Sequence, residues 1–193
     1  MSHISHSKVT EFMGETYWVN SKKSGLYTKT LGVILGQVEA MLSHHNKVLL
    51  VRFDLHQPEY TDTSEAVTKL FKRLGDYLKP KYKLTRVGNV WVREMERAKS
   101  QHYHCVLLVD GNKFKTSYRL MERIRWYWEA LFDGSIHWPQ PRCYYLLTRN
   151  NRETMQEAIY HISYLAKGRG KGYKPKQAKN YGASRLKVKI TGK

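Results

Sequence analysis

The sequence predicts an α+β domain, a central antiparallel sheet of four to five strands with helices packed mainly on one face. Three observations carry that reading. Apolar residues alternate between helical and strand spacing in the order helix, strand, helix, strand, strand, helix, strand, helix. The adjacent strands are joined by a short polar turn, which makes them an antiparallel hairpin. No segment repeats and no second domain is evident, so these elements share one core.

Leu31, Leu35, Val38 and Leu42 recur at helical spacing and predict a helix near 27–44, ending around His44-His45-Asn46. A strand follows at 47–56, where Val51, Phe53 and Leu55 face one way and Arg52, Asp54 and His56 the other, the alternation of a half-buried strand. Thr61, Asp62 or Thr63 caps the next helix, about 63–78, whose buried stripe is Val67, Leu70, Phe71, Leu74 and Leu78 and which Pro80 stops. Residues 83–97 read as a second strand around Val90-Trp91-Val92 and 102–109 as a third, turning at Ala98-Lys99-Ser100-Gln101. Asp110-Gly111-Asn112 closes the hairpin, and a helix follows at 116–132. Pro139 and Pro141 precede a fourth strand at 142–147, and a last helix spans 152–167.

The chain of 193 residues carries 34 Lys and Arg against 16 Asp and Glu, a formal charge of +18. That excess points to a polyanionic partner, while 41% hydrophobic residues, five Trp and fourteen Tyr exclude a wholly disordered basic chain. Ten of the cations, and no acid, lie from Lys167 onward. The division expected is an N-terminal segment (1–20), a folded domain (21–168) and a basic flexible tail (169–193), in which Lys171, Lys174, Lys176 and Lys179 are candidate phosphate contacts. Within the tail, Leu186, Val188 and Ile190 alternate with lysines as a short strand does. Apolar runs are far too short for a membrane span, and the first residues lack a secretory signal's apolar stretch. Cys105 and Cys143, both within apolar runs, read as core thiols, so a cytoplasmic location is expected.

Chemistry concentrates in two places. His102-Tyr103-His104 sets two imidazoles on one face of a strand, about 7 Å apart at Cα, close enough to share an ion. Glu94 and Glu96 share a face of the preceding strand, and either can lie across the hairpin from the histidines. Two imidazoles and a carboxylate leave open positions on Mg²⁺ or Mn²⁺, at which a phosphoryl oxygen can be polarised. In the last helix Met155, Ile159, Ile162 and Ala166 form the packing stripe, with Tyr160, Tyr164 and Lys167 on an arc roughly opposite. Such tyrosines can act as nucleophiles, and an ammonium nearby favours the phenolate.

Glu94, His102-Tyr103-His104 and the later Tyr160-His161-Ile162-Ser163-Tyr164-Leu165-Ala166-Lys167 together resemble the motifs of the HUH endonucleases, the rolling-circle replication initiators. The paired tyrosines and lysine are most similar to phage gene A type initiators, and size and layout to inovirus gene II-like proteins. The resemblance covers 47–167 in element order and two short motifs in residue detail. It implies a ferredoxin- or RRM-like sheet, His102, His104 and Glu94 as ligands of a divalent metal, Tyr164 as principal nucleophile, Tyr160 as a second and Lys167 as the phenolate-stabilising group. The strand holding Arg52-Phe53-Asp54-Leu55 departs from the family's Thr-rich first motif and carries no implied role, although Asp54 or His56 can approach the metal.

The implied reaction is nicking and joining of single-stranded DNA at a phage, plasmid or prophage replication origin. A tyrosine oxygen attacks in line, leaving a 5′-phosphotyrosine and a free 3′-hydroxyl, and the retained ester energy lets the strand be rejoined without ATP. The chain contains no Gly-x-x-x-x-Gly-Lys-Ser/Thr loop, so no nucleotide cofactor is expected and unwinding falls to a separate host helicase. Two other functions account for the charge. One is a non-catalytic binder stacking bases on Tyr103, Trp91 and Tyr145; the other is a metal-independent RNA endonuclease with His102 or His104 as general base.

Overall fold

The computed structural model describes residues 3–95, 101–114, 116–169 and 179–190. Four short strands come first: β1 (Ile4–Ser5), β2 (Val9–Phe12), β3 (Glu15–Trp18) and β4 (Leu26–Tyr27). Then follow α1 (Thr28–His44), β5 (Lys47–His56), α2 (Glu65–Tyr82), β6 (Gly88–Met95), β7 (Gln101–Asp110) and α3 (Tyr118–Phe132). The chain continues through β8 (Ser135–His137), β9 (Tyr144–Thr148), α4 (Arg152–Ile162), a 3-10 turn (Ser163–Ala166) and β10 (Tyr181–Ala183).

The α+β class and the antiparallel sheet are those the sequence predicts. The main sheet has six strands, in the order β10-β6-β7-β5, with β8 and β9 sharing the free edge of β5. β9 pairs with Lys47 to Val51 and β8 with Asp54 to His56, so the edge changes partner at Arg52, whose N–H bonds to the Cys143 carbonyl at 2.7 Å. β8 and β10 are three residues each, too short to show a hydrophobic period.

The helices pack on the sheet in two groups. Leu49, Val51, Phe53 and Leu55 of β5, with Tyr103, Cys105 and Leu107 of β7, lie under α2 and α3. Val48 and Leu50, with Val90, Val92, Val106 and Leu108, lie under α1, α4 and the 3-10 turn. β5 is therefore buried on both sides, not half-buried, and Arg52 and Asp54 are 5% and 7% exposed. Residues this polar stay at a buried position only when their bonding groups are met inside the protein or by a ligand.

Two helix termini differ from expectation. α2 runs through Pro80 to Tyr82, because a proline in the last turn removes one hydrogen bond without opening the helix; Lys83 (φ 51°) then reverses the chain and the Leu84 N–H reaches the Lys79 carbonyl at 2.9 Å. Its N-cap is Ser64, which makes no side-chain capping bond, while the Thr61 hydroxyl donates to the Thr63 carbonyl at 3.0 Å.

The predicted tail is partly built into the domain. β10 adds to β6 with Gly182 opposite Trp91, where a Cβ would lie 2.6 Å from the indole ring. Beyond it Gln37 donates to the Leu186 carbonyl at 3.3 Å and the Lys189 N–H to Ser43 Oγ at 2.8 Å, so residues 184–190 run beside α1. The alternation at Leu186, Val188 and Ile190 does not make a strand; Leu186 packs on the core and Ile190 is 92% exposed. Lys171, Lys174 and Lys176 lie outside the described residues, and Lys179 is exposed. The N-terminal segment is likewise structured: Asn20 and Trp18 donate their N–H groups to Ser163 and Gln156.

Candidate active site

Two rungs of the sheet build the site. Strand register places Asp54 opposite His104 and His104 opposite Val92, and one step on places His56 opposite His102 and His102 opposite Glu94. All of these polar side chains stand on the face that carries Val48, Leu50, Val106 and Leu108. The apolar stripe under α1 and α4 thus ends in a cluster of imidazoles and carboxylates.

Glu94, His102 and His104 each offer one ligand atom, all within 4.8 Å of one another. His104 Nε2 lies 2.8 Å from Glu94 Oε2, and His102 Nε2 lies 3.9 Å from the same oxygen. The separations suit a small ion, since ligands about 2.1 Å from a hard divalent cation sit roughly 3 to 4.2 Å apart. His102 Nδ1 is buried with no hydrogen-bond partner among the described residues, so this imidazole has bonding capacity that those residues leave unused. The donor set therefore fits a metal; Glu96, the alternative carboxylate, lies outside the described residues.

Behind the triad, His104 Nδ1 bonds Asp54 Oδ1 at 2.7 Å, and Asp54 Oδ2 faces the exposed His137 Nδ1 at 3.6 Å. A carboxylate on the far nitrogen fixes the tautomer and orientation of a ligating imidazole. Burial alone would push the His104 pKa down, but bonds to Asp54 and Glu94 outweigh it and hold the value above the ordinary one. Burial, aided by neighbouring His104, pushes His102 down, toward the neutral form a ligand needs. His56 stacks on His102 with ring centres 5.4 Å apart.

Tyr164 packs edge-on against His104, ring centres 5.2 Å apart. The α-helix stops at Ile162, and the turn that follows advances about 120° per residue instead of 100°. The two tyrosines therefore diverge instead of stacking. Tyr164 is rotated onto the triad, while Tyr160 is 38% exposed and no ring contact or hydrogen bond joins its side chain to the triad among the described residues. Ser163 fixes the turn, donating to the Tyr160 carbonyl at 2.7 Å and accepting from the Asn20 N–H at 2.9 Å. Met155, Ile159, Ile162 and Ala166 are buried as the packing stripe predicted.

Two cations flank the Tyr164 ring: the Lys167 ammonium and the Arg52 guanidinium each lie 4.8 Å from its centre. Burial and the nearby Glu94 push the Tyr164 pKa up, and Arg52 opposes them. Burial, with Lys23 and Arg52, pushes the Lys167 pKa down.

A family model, the YagK/YfjJ C-terminal domain, matches residues 10–184. The chain belongs to this family. In this YagK/YfjJ domain the match takes in all six strands of the main sheet, the four helices and every residue of the site. No curated protein and no solved structure matches the chain. No helix among the described residues is long and apolar enough to cross a membrane.

Sequence reasoning had the triad and Tyr164 but gave no role to Arg52 and only proximity to Asp54 and His56. The alternation sets all three on one face of the strand, but alternation alone reads such a face as wet. His137 gave none. Tyr103, Trp91 and Tyr145, candidates for base stacking, are 0%, 5% and 8% exposed and belong to the two cores, so they cannot offer stacking faces.

Proposed function

We propose that this YagK/YfjJ domain is a metal-assisted tyrosine nickase of the HUH type, cutting and rejoining single-stranded DNA at a replication origin. The observation that carries the reading is Tyr164, a tyrosine packed against a ligand of a two-histidine, one-carboxylate triad and flanked by Lys167. A structural tyrosine needs no such company. Glu94, His102 and His104 would hold Mg²⁺ or Mn²⁺, which supplies Lewis-acid withdrawal of charge from the phosphodiester.

The chain's own residues do the rest. Asp54 keeps His104 oriented, and Lys167 with Arg52 favours the phenolate that burial opposes. The phenol gives up its proton, a bond forms between Tyr164 Oη and phosphorus, and the bond to the 3′-oxygen breaks, that oxygen leaving as a hydroxyl after taking up a proton. Tyr160, one turn earlier and exposed, would serve the second transfer. The basic segment from Lys167 onward, including Lys171, Lys174, Lys176 and Lys179, supplies phosphate affinity in this reading. Unwinding would come from a separate helicase.

The test is incubation with Mn²⁺ and single-stranded oligonucleotides tiling the replicon that encodes the chain. The expected outcome is a protein-linked 5′ product that survives SDS, requires metal and is lost in Tyr164→Phe. Cleavage of RNA without metal, or DNA binding with no cleavage, would favour the endonuclease or binder readings instead.

A further inference from the structure

Arg52 sits in mid-strand at the centre of the sheet, 5% exposed, where a charge is costly unless it is matched. Among the described residues its only hydrogen bond from the side chain is Nη1 to the His161 carbonyl at 2.9 Å, and its Nε is buried without a partner. No Asp or Glu oxygen lies within 4.0 Å of it among the described residues. The acid nearest along the strand, Asp54, is taken up by His104 and His137.

The other buried arginine shows what a structural one looks like here. Arg93, 3% exposed on the opposite face, also leaves its Nε without a partner among the described residues, but its terminal nitrogens donate to the Thr61 and Thr63 carbonyls and to Gln101 Oε1, three acceptors from three residues. Arg52 has one. Its guanidinium instead faces the Tyr164 ring, as does the Lys167 ammonium, both 4.8 Å from the ring centre. A buried fork of N–H donors, incompletely satisfied and set beside a metal triad and a tyrosine, is built for a tetrahedral oxyanion.

We propose that Arg52 anchors a phosphate-binding subsite, completed by Lys167, that grips a non-bridging oxygen of a phosphodiester beside Tyr164. The inference deepens the nickase reading and rests on it for the identity of the ligand, but the anion subsite itself is defined by Arg52 and can be tested without DNA. Arg52 would hold the phosphate in line with the tyrosine oxygen and neutralise charge that grows on the phosphoryl oxygens during attack. A lysine at this position would keep the charge but lose the two-pronged grip.

The experiment is crystallisation of the full chain with sodium tungstate, a tetrahedral phosphate mimic located by its anomalous signal, without metal or DNA. A tungstate whose oxygens lie about 2.7 to 3.2 Å from the Arg52 nitrogens is expected, absent in Arg52→Met while tungstate at other basic surfaces persists. Tungstate on those surfaces with none at Arg52 in the wild type would overturn the subsite, and that result needs no variant to fold. In parallel, nicking at saturating oligonucleotide should fall about 100-fold in Arg52→Met and recover partly in Arg52→Lys. A bound tungstate with no nicking of any oligonucleotide keeps the subsite and removes the nickase reading. Wild-type nicking by Arg52→Met with no tungstate at Arg52 does the reverse.

Discussion

His104 is held at both ring nitrogens by carboxylates, 2.7 Å from Asp54 and 2.8 Å from Glu94, and the two bonds do different work. The Glu94 side is where an ion would enter; the Asp54 side is the support. Asp54→Asn should therefore weaken Mn²⁺ binding by about 10- to 100-fold in calorimetric titration, with the fold retained; unchanged affinity would make Asp54 a packing residue only. His161 offers a separate prediction. Burial, with Arg52, pushes its pKa down to about 4. Between its ordinary 6.5 and that value the unfolded chain accepts a proton the folded chain refuses, so stability falls as pH drops across this window, by up to about 3 kcal/mol. His104 has the opposite sign: its raised pKa adds stability that is full below 6.5 and fades as pH climbs through the folded value. Urea midpoints of the metal-free protein should decline from pH 6.5 to 4, and His161→Gln should flatten that decline. At this scale the sequence made His102 and His104 legible, since His-x-His on a strand fixes a shared face. Arg52 was not legible, because alternation alone reads a polar face as wet, and only the second helical layer shows it to be buried.

At the scale of elements, the decisive feature is the change from α-helix to 3-10 turn at Ser163. A uniform helix from 152 to 167 was the natural reading of the apolar stripe, and the stripe survives the change because Ile162 and Ala166 remain buried. What changes is the bearing of Tyr164. Ser163 is fully buried and bridges the Tyr160 carbonyl to the Asn20 N–H, a long-range bond that no local periodicity records. Ser163→Ala should cost about 1 to 3 kcal/mol in urea unfolding by stranding the Asn20 N–H, and should lower nicking further by releasing the turn; nicking at the wild-type rate would show that the turn does not position Tyr164. β10 makes a second case. Gly182 touches the Trp91 ring so closely that Gly182→Val should unpair β10 from β6. Faster amide exchange at Trp91 and Arg93, with the β5–β7 pairing unaffected, is the expected signature. The hairpin was readable from the polar stretch between its strands but its register was not, since either Glu94 or Glu96 could face the histidines until Gln101 is seen paired with Met95 and Glu94 with His102; the three-residue β8 and β10 carry too few residues to show a period.

Over the whole molecule, the +18 charge and the site are separable. The folded part presents a buried cluster in which Asp54 and Glu94 flank His104 and Arg52 has no acid within 4.0 Å among the described residues, while ten cations from Lys167 onward stand in a segment without a single acid. Affinity in the second and chemistry in the first should respond differently to salt. Replacing Lys171, Lys174 and Lys176 by Gln should reduce the slope of log affinity against log salt for a single-stranded oligonucleotide by about 2, at roughly 0.7 per phosphate contact, without altering metal binding. An unchanged slope would remove these lysines from the DNA path. Tyr164 is the decisive residue for the nickase reading, packed on His104 of the triad and on Lys167, the first cation of the basic segment. The most direct test of that reading is mass spectrometry of tryptic peptides from the SDS-stable product formed with Mn²⁺. A nucleotide adduct is expected on the peptide bearing Tyr164, with fragment ions placing the phosphate on that residue. An adduct confined to Tyr160, or cleaved DNA with no peptide adduct at all, would contradict the reading.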